Sequence, residues 1–142
     1  ADPGSADVDV TLVARRQALR FRAGPEQDGY TLNGTSPGPV IRAALGQLVQ
    51  VRLVNESVPG GVTLHWHGVD VPNAADGVAG VTQDAVPIGG EHVYRFRVRQ
   101  TGTFWYHSHD DSLVQMGRGL AGALIVQDGV IPRTALPEAR QY

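Results

Sequence analysis

An alternation of apolar and polar residues runs through Val62-Thr63-Leu64-His65-Trp66-His67. A period of two is typical of a half-buried β-strand, because successive side chains point to opposite faces. The same alternation recurs at residues 8–12, 49–53 and 94–98, and turn signals such as Asn33-Gly34 and Gly60-Gly61 lie between these segments. Short strands separated by turns, without a sustained helical period, predict an all-β sandwich or barrel.

The rest of the chain fits one domain of ordinary size, since it has 142 residues. We assign the domain to residues 6–128, with a final buried strand at residues 121–126 and a short helix at residues 111–117. The opening residues 1–5 resemble a cloning remnant left after removal of a signal peptide. Residues 129–142 contain prolines and no alternation, so we interpret them as a linker or tail.

Composition excludes several classes of function. The chain has no cysteine, which rules out disulfides, thiolate zinc sites, thiol catalysis and a blue-copper centre with its Cys ligand. The net charge is −2, so nothing favours nucleic acid or an anionic membrane as a partner. No apolar stretch approaches the roughly 20 residues of a membrane-spanning helix.

Histidine is concentrated in two H-x-H pairs, His65/His67 and His107/His109, in a chain with 5 histidines. On a strand, residues i and i+2 share a face at about 6.5–7 Å, so neighbouring strands would bring four imidazoles together. Imidazole binds copper, zinc, iron and nickel, and composition alone does not choose among them. The flanking aromatic residues are predicted to wall such a site from water. The alternative is that each pair is an ordinary surface or hydrogen-bonded polar pair.

The chain resembles the N-terminal domains of laccase-like multicopper oxidases in two copper motifs, His65-Trp66-His67-Gly68 and Thr103-Phe104-Trp105-Tyr106-His107-Ser108-His109. Residues 32–39, 76–83 and 119–126 are also similar to that family. The resemblance extends from about Val8 to Asp128, which is nearly the whole chain. Several motifs in the family's order make the resemblance specific.

The resemblance implies a Greek-key cupredoxin β-sandwich and a role for each histidine of the pairs. His65 would ligate a type 2 copper, His67 and His107 would share one copper of a type 3 pair, and His109 would ligate the other. Four more histidines and the type 1 copper would come from a C-terminal cupredoxin domain. The complete enzyme would oxidise phenols, aromatic amines or metal ions and reduce dioxygen to water.

Partners and location follow from the same resemblance. The missing cupredoxin domain would be supplied in cis, in trans or by a homo-oligomer, and the protein would be secreted or periplasmic. Because the chain has no cysteine, it lacks a type 1 copper site. We therefore expect this chain alone to be inactive as an oxidase.

Other polar residues have competing interpretations. The resemblance makes Asp76 a carboxylate beside the cluster that handles protons, whereas an Asp-Gly pair alone predicts a turn. His92 is interpreted as structural, and Met116 as a core residue. Asp110 and Asp111 could cap the short helix or tune the site.

Two other functions stay open from the residues. The domain could be a stand-alone module for copper storage, delivery or assembly, which copper-dependent oxygen consumption would distinguish from an oxidase. It could also be a structural domain with vestigial histidines, although both pairs are present in order. A cupin is disfavoured because the carboxylate usually found a few residues after its H-x-H motif is missing.

Overall fold

The computed structural model of the chain describes residues 4–20, 24–109 and 112–129. Within these ranges, the strands and helices in chain order are β1 (Val8–Arg20), β2 (Glu26–Leu32), β3 (Ile41–Ala44), β4 (Leu48–Asn55), β5 (His65–His67), a 3-10 helix (Asn73–Ala75), β6 (Glu91–Arg97), β7 (Gly102–His107), α1 (Ser112–Gly117) and β8 (Ala121–Gln127). No helix in the described ranges combines the length and apolarity needed to cross a membrane.

Two four-stranded sheets form the architecture, with strand orders β2-β1-β4-β6 and β3-β8-β7-β5. β1 runs parallel to β4, and β3 runs parallel to β8, whereas the other neighbouring strands are antiparallel. Strands distant in sequence are therefore neighbours in space, so the chain crosses repeatedly between the sheets. The predicted all-β Greek-key sandwich is confirmed.

Aromatic side chains from both sheets meet in the core around Trp66 of β5. Its ring centroid lies 4.8 Å from that of Phe96, 5.6 Å from that of Tyr106 and 5.8 Å from that of Tyr94. All four side chains are at most 1% exposed, and these separations are those of attractive aromatic pairs. Because Trp66 points inward, the histidines on either side of it project from the outer face of the second sheet.

The strand predicted over residues 62–67 is shorter than the alternation suggested. Val62 exchanges backbone hydrogen bonds with Val86 of a loop, at 3.0 and 2.9 Å, instead of pairing with β7. The backbone N–H of Leu64 donates to the hydroxyl of Tyr94 at 3.0 Å. Thr63 is fully buried, like Val62 and Leu64. The exposure of alternate side chains that the sequence pattern predicts therefore begins only at His65.

The predicted turn at Asn33-Gly34 follows the end of β2, where Leu32 and Thr35 exchange backbone hydrogen bonds at 3.0 and 3.3 Å. Asn33 adopts φ 54°, a left-handed conformation that Asn tolerates better than most residues. Its side-chain oxygen accepts a 2.7 Å hydrogen bond from the N–H of Val13, and its amide donates to the carbonyl of Thr11 at 2.9 Å. The turn is therefore held by the side chain as well as by the backbone.

The expected domain boundaries stay a prediction. The strands begin at Val8 and end at Gln127, inside the interval 6–128. Residues 1–3 of the expected cloning remnant and residues 130–142 of the expected tail lie outside the described residues. The same holds for Asp110 and Asp111 and the roles considered for them.

Candidate metal centre

Antiparallel pairing of β5 with β7 sets the register of the histidine pairs. His65 lies opposite His107, and His67 lies opposite Trp105. Since alternate residues of a strand share a face, three imidazoles project from the same face of the sheet. Their ring centroids are 5.4 Å apart for His65 and His107, 5.6 Å for His67 and His107, and 6.1 Å for His65 and His67.

His109 joins this group from outside the strand. β7 ends at His107, so the i, i+2 geometry assumed for the second pair does not apply to His109. Its ring nevertheless lies 5.1 Å from that of His65 and 6.2 Å from that of His107. The structure therefore brings all four histidines of the two motifs together, three through strand register and one through the segment just beyond β7.

The ligand atoms of three histidines are close enough to test the fit of a metal ion. One ring nitrogen from each of His65, His67 and His107 lies within 4.8 Å of the others. The Nε2 atom of His107 is 3.4 Å from Nδ1 of His67. A histidine nitrogen binds a first-row metal such as zinc at about 2.0–2.1 Å, so two nitrogens on one ion can be up to about 4.2 Å apart. These two atoms can therefore reach a shared ion.

Backbone carbonyls determine which nitrogen of two rings is free. Nδ1 of His65 lies 2.8 Å from the carbonyl oxygen of Asp76, and Nδ1 of His107 lies 2.9 Å from that of Ser108. A carbonyl can only accept, so Nδ1 carries the proton in both rings and Nε2 keeps the lone pair. Metal-binding histidines commonly donate their other nitrogen to such a group, which fixes tautomer and ring orientation.

Burial and repulsion from the neighbouring histidines lower the pKa of His107. The side chain of His107 is only 6% exposed, and burial lowers its pKa from the ordinary value. The hydrogen bond to Ser108 opposes this shift, while repulsion from His65, His67 and His109 adds to it. A neutral imidazole is the form that binds a metal, so the environment of His107 favours coordination.

Asp76 contacts the group through His65. Its carboxylate oxygen Oδ1 lies 3.3 Å from Nδ1 of His65, which already donates to the backbone carbonyl of Asp76. The residue follows the 3-10 helix Asn73–Ala75 and precedes Gly77, whose φ is 70°. The turn expected from Asp-Gly and the place beside the histidines are thus parts of one arrangement, because the turn aims Asp76 at His65.

Only some of the flanking aromatic residues border the histidines. The Trp105 ring lies 4.2 Å from that of His107 and 4.9 Å from that of His67, on the same face of the sheet. Trp66 and Tyr106 instead point into the core. Of the aromatic residues predicted to shield the histidines from water, Trp105 is the one that contacts their rings, and it is itself 38% exposed.

The remaining candidates from the sequence lie apart from this group. Among the described residues, the nitrogens that could hold a metal come from His65, His67 and His107, without His92. His92 is in β6, where it pairs with Leu53 and packs 4.7 Å from the Tyr94 ring, consistent with a structural role. Met116 is half-buried in α1.

The sequence interpretation missed one residue, Gln115 of α1. It is 4% exposed, and its amide nitrogen donates to the carbonyl of Gly61 at 2.7 Å. Its amide oxygen accepts a hydrogen bond from the hydroxyl of Ser108, the residue between the histidines of the second pair. A glutamine in a short helix gives no sequence signal for such a contact.

Comparison with known proteins identifies the family. A sequence model of the family described as multicopper oxidase matches residues 14–130. The chain belongs to the multicopper oxidases. This domain is 42% identical over 130 residues to dihydrogeodin oxidase of Aspergillus terreus, covering 89% of the chain and 21% of the relative. It is 41% identical over 129 residues to laccase-2 of Cryptococcus neoformans, again covering 89% and 21%.

The solved structure of a multicopper oxidase from Pseudomonas thermotolerans shares the fold of this multicopper oxidase domain. It matches with a TM-score of 0.82 and 34% identity over 91% of this chain, which is 32% of that protein. The predicted laccase-like family and cupredoxin fold are confirmed, and copper is the cofactor that the family implies. The chain spans about a fifth of the length of the sequence relatives it matches.

Proposed function

We propose that this multicopper oxidase domain supplies four histidine ligands to a type 2/type 3 trinuclear copper cluster that reduces dioxygen to water. The observation that carries the proposal is the 3.4 Å separation of His107 Nε2 and His67 Nδ1. Two ring nitrogens at this separation can both reach one ion, which supports the assignment of these residues to one copper of the type 3 pair. His65 would ligate the type 2 copper, and His109 the second type 3 copper.

The open side of the histidine group supports completion by another protein surface. His67 is exposed and His65 and His109 are half-buried, although all three contact other imidazole rings. A cluster with eight histidines needs four more from elsewhere, and the relatives are several times longer than this chain. We propose that a further cupredoxin domain, in the same chain or another, docks here and also provides the type 1 copper.

Copper bound at this centre would supply one-electron redox chemistry. The protein residues hold and orient it: carbonyls of Asp76 and Ser108 fix the protons on Nδ1, which leaves Nε2 of His65 and His107 for coordination. The Asp76 carboxylate, 3.3 Å from Nδ1 of His65 and 35% exposed, would exchange protons between solvent and the site. An extracytoplasmic location, secreted or periplasmic, is part of the same proposal.

Copper titration of histidine variants tests the ligand assignment. The metal-free chain is titrated with Cu(II) by calorimetry, and the bound ion is characterised by electron paramagnetic resonance. His107→Ala removes the nitrogen closest to another ligand, so its copper affinity should fall by at least the 10–100-fold typical of losing a supporting residue. His92→Ala is the matched control, since His92 lies in β6 outside the group, and it should bind copper as the wild type does. Equal losses in both variants would contradict the assignment.

Reconstitution tests whether the type 1 copper site must come from another domain. Without a cysteine, the copper-loaded chain should show no intense blue absorption and no sustained oxygen uptake with a phenolic substrate. Addition of a C-terminal cupredoxin domain that carries the type 1 site should restore oxygen uptake. An intense blue band or turnover from this chain alone would show that electrons enter the site by another route.

A further inference from the structure

A buried hydrogen-bond chain connects α1 to the second histidine motif. The side chain of Gln115 donates through Nε2 to the carbonyl of Gly61 at 2.7 Å and accepts through Oε1 from the hydroxyl of Ser108. Gln115 is 4% exposed and Ser108 is fully buried. Gly61 lies four residues before His65, and Ser108 lies between His107 and His109. The Gln115 amide therefore bonds to a residue close in sequence to each histidine pair.

Backbone hydrogen bonds also hold Ser108 in place. Its N–H donates to the carbonyl of Leu120 at 3.1 Å, and the N–H of Leu120 donates to the carbonyl of Gln115 at 3.1 Å. Its side chain is held by Gln115, so both its N–H and its hydroxyl have fixed partners. The Ser108 carbonyl, which accepts a hydrogen bond from Nδ1–H of His107 at 2.9 Å, therefore belongs to a residue that is anchored on both its N–H and its side chain.

We propose that Gln115 is a positioning residue of the metal centre, which acts through Ser108 to fix the tautomer and ring orientation of His107. The inference rests on the proposed function, because it matters only if His107 Nε2 is a ligand. Gln115 also ties Ser108, the residue before His109, to Gly61 in the segment before His65. It therefore holds the segment that contains His107 and His109 at a fixed distance from the segment that leads into His65 and His67.

The hydrogen bonds of Gln115, rather than its volume, distinguish this role from core packing. A leucine has a similar size and could fill the same space without needing polar partners. The buried amide instead satisfies both its oxygen and its nitrogen within two segments that flank the histidines. Buried polar groups that are fully bonded make a local conformation unique, which is what a ligand-bearing turn requires.

The test uses the tautomer of His107 as a readout independent of copper. Chain labelled with nitrogen-15 histidine is examined by NMR without metal, where the wild type should show the proton on Nδ1 of His107. Gln115→Leu and Ser108→Ala should give mixed tautomers or a mobile His107 ring, and copper affinity should fall 10–100-fold. Gln115→Glu keeps an acceptor for the Ser108 hydroxyl but loses the donor to the Gly61 carbonyl, so it should retain the wild-type tautomer while weakening the tie to the segment before His65.

Ile41→Val provides a stability control. Ile41 is a buried residue of β3, away from the hydrogen-bond chain, so its truncation should lower stability without changing the tautomer or the copper affinity. If Gln115→Leu does not fold, Ser108→Ala carries the test. Folded Gln115→Leu or Ser108→Ala with the wild-type tautomer, or with an altered tautomer but wild-type copper affinity, would overturn the proposal. Failure of the wild-type chain to bind copper through its histidines would instead refute the proposed function and leave the tautomer result standing.

Discussion

Gly77 follows Asp76 and packs directly against the backbone of Leu64, the residue before His65. Its replacement by alanine is therefore the sharpest test of the site geometry. A Cβ added there would lie 1.7 Å from the carbonyl oxygen of Leu64 and 2.5 Å from its carbonyl carbon. The contact is with backbone, and the N–H of Leu64 is anchored by the Tyr94 hydroxyl at 3.0 Å. The two segments must therefore separate by more than 1 Å to reach an ordinary contact distance of at least about 3 Å.

The expected loss of stability has two sources. Gly77 has φ 70°, and an L-residue in the left-handed region is disfavoured by about 1–2 kcal/mol. Relief of the overlap by backbone movement adds about 1–3 kcal/mol. Gly77→Ala should therefore destabilise the fold by about 2–5 kcal/mol. Gly80→Ala is the matched control, because Gly80 has φ 75° and nothing within 4 Å of its added Cβ, so it should show the first contribution alone.

Urea denaturation and copper titration measure the two consequences. With a slope of about 1–3 kcal/mol/M, the unfolding midpoint of Gly77→Ala should fall by about 1 M or more, and that of Gly80→Ala by clearly less. A backbone shift of more than 1 Å would also break the 2.8 Å bond between His65 Nδ1 and the Asp76 carbonyl, so only Gly77→Ala should weaken copper binding. Equal midpoints for the two variants would refute the close approach on which this reasoning depends.

Further predictions concern residues around the same face and core. In a complete oxidase built on this domain, Asp76→Asn should keep copper content but slow oxygen reduction, because an amide cannot accept a proton; unchanged turnover would argue against proton handling. Gly122→Ala would place a Cβ 2.2 Å from the Tyr106 ring, so the unfolding free energy should fall by about 1–3 kcal/mol. Cu(II) should quench the fluorescence of Trp105, whose ring is 4.9 Å from that of His67, and Trp105→Phe should remove most of this quenching. Burial raises the pKa of Tyr94 to about 12, so the folded chain retains a proton that the unfolded chain loses near pH 10, and urea stability should decline from pH 10 to 12 with a shallower slope in Tyr94→Phe.

The alternation of apolar and polar residues predicted strands correctly where one face of the segment packs into the core of the sandwich. The alternation at residues 49–53 and 94–98 identified strands of the first sheet, and both carry the predicted buried residues. It was less reliable at residues 62–64, where a loop and the Tyr94 hydroxyl provide the hydrogen-bond partners that a neighbouring strand would supply. Periodicity reports which side chains are buried, and it does not report what the backbone bonds to.

The four histidines could be recognised from their spacing, and their convergence follows for three of them from strand geometry. His109 converges for a different reason, since it lies beyond β7 and directly follows Ser108, whose hydroxyl is bonded to Gln115. The ligand roles of the four, like the role of Asp76, stay predictions until metal binding is measured. The contribution of Gln115 could not be foreseen because its partners are distant in sequence and are chosen by packing.

The sequence alone determined the all-β class, the family and the identity of the histidine pairs, because these depend on the order and type of neighbouring residues. The tertiary structure decided which imidazole nitrogens are free, which aromatic ring borders them and how the two pairs are spaced. Opposition of His65 and His107 depends on the register of two strands that are 42 residues apart in the chain. Register and side-chain hydrogen bonds are settled by the simultaneous packing of both sheets, and a single segment carries no information about its distant partner.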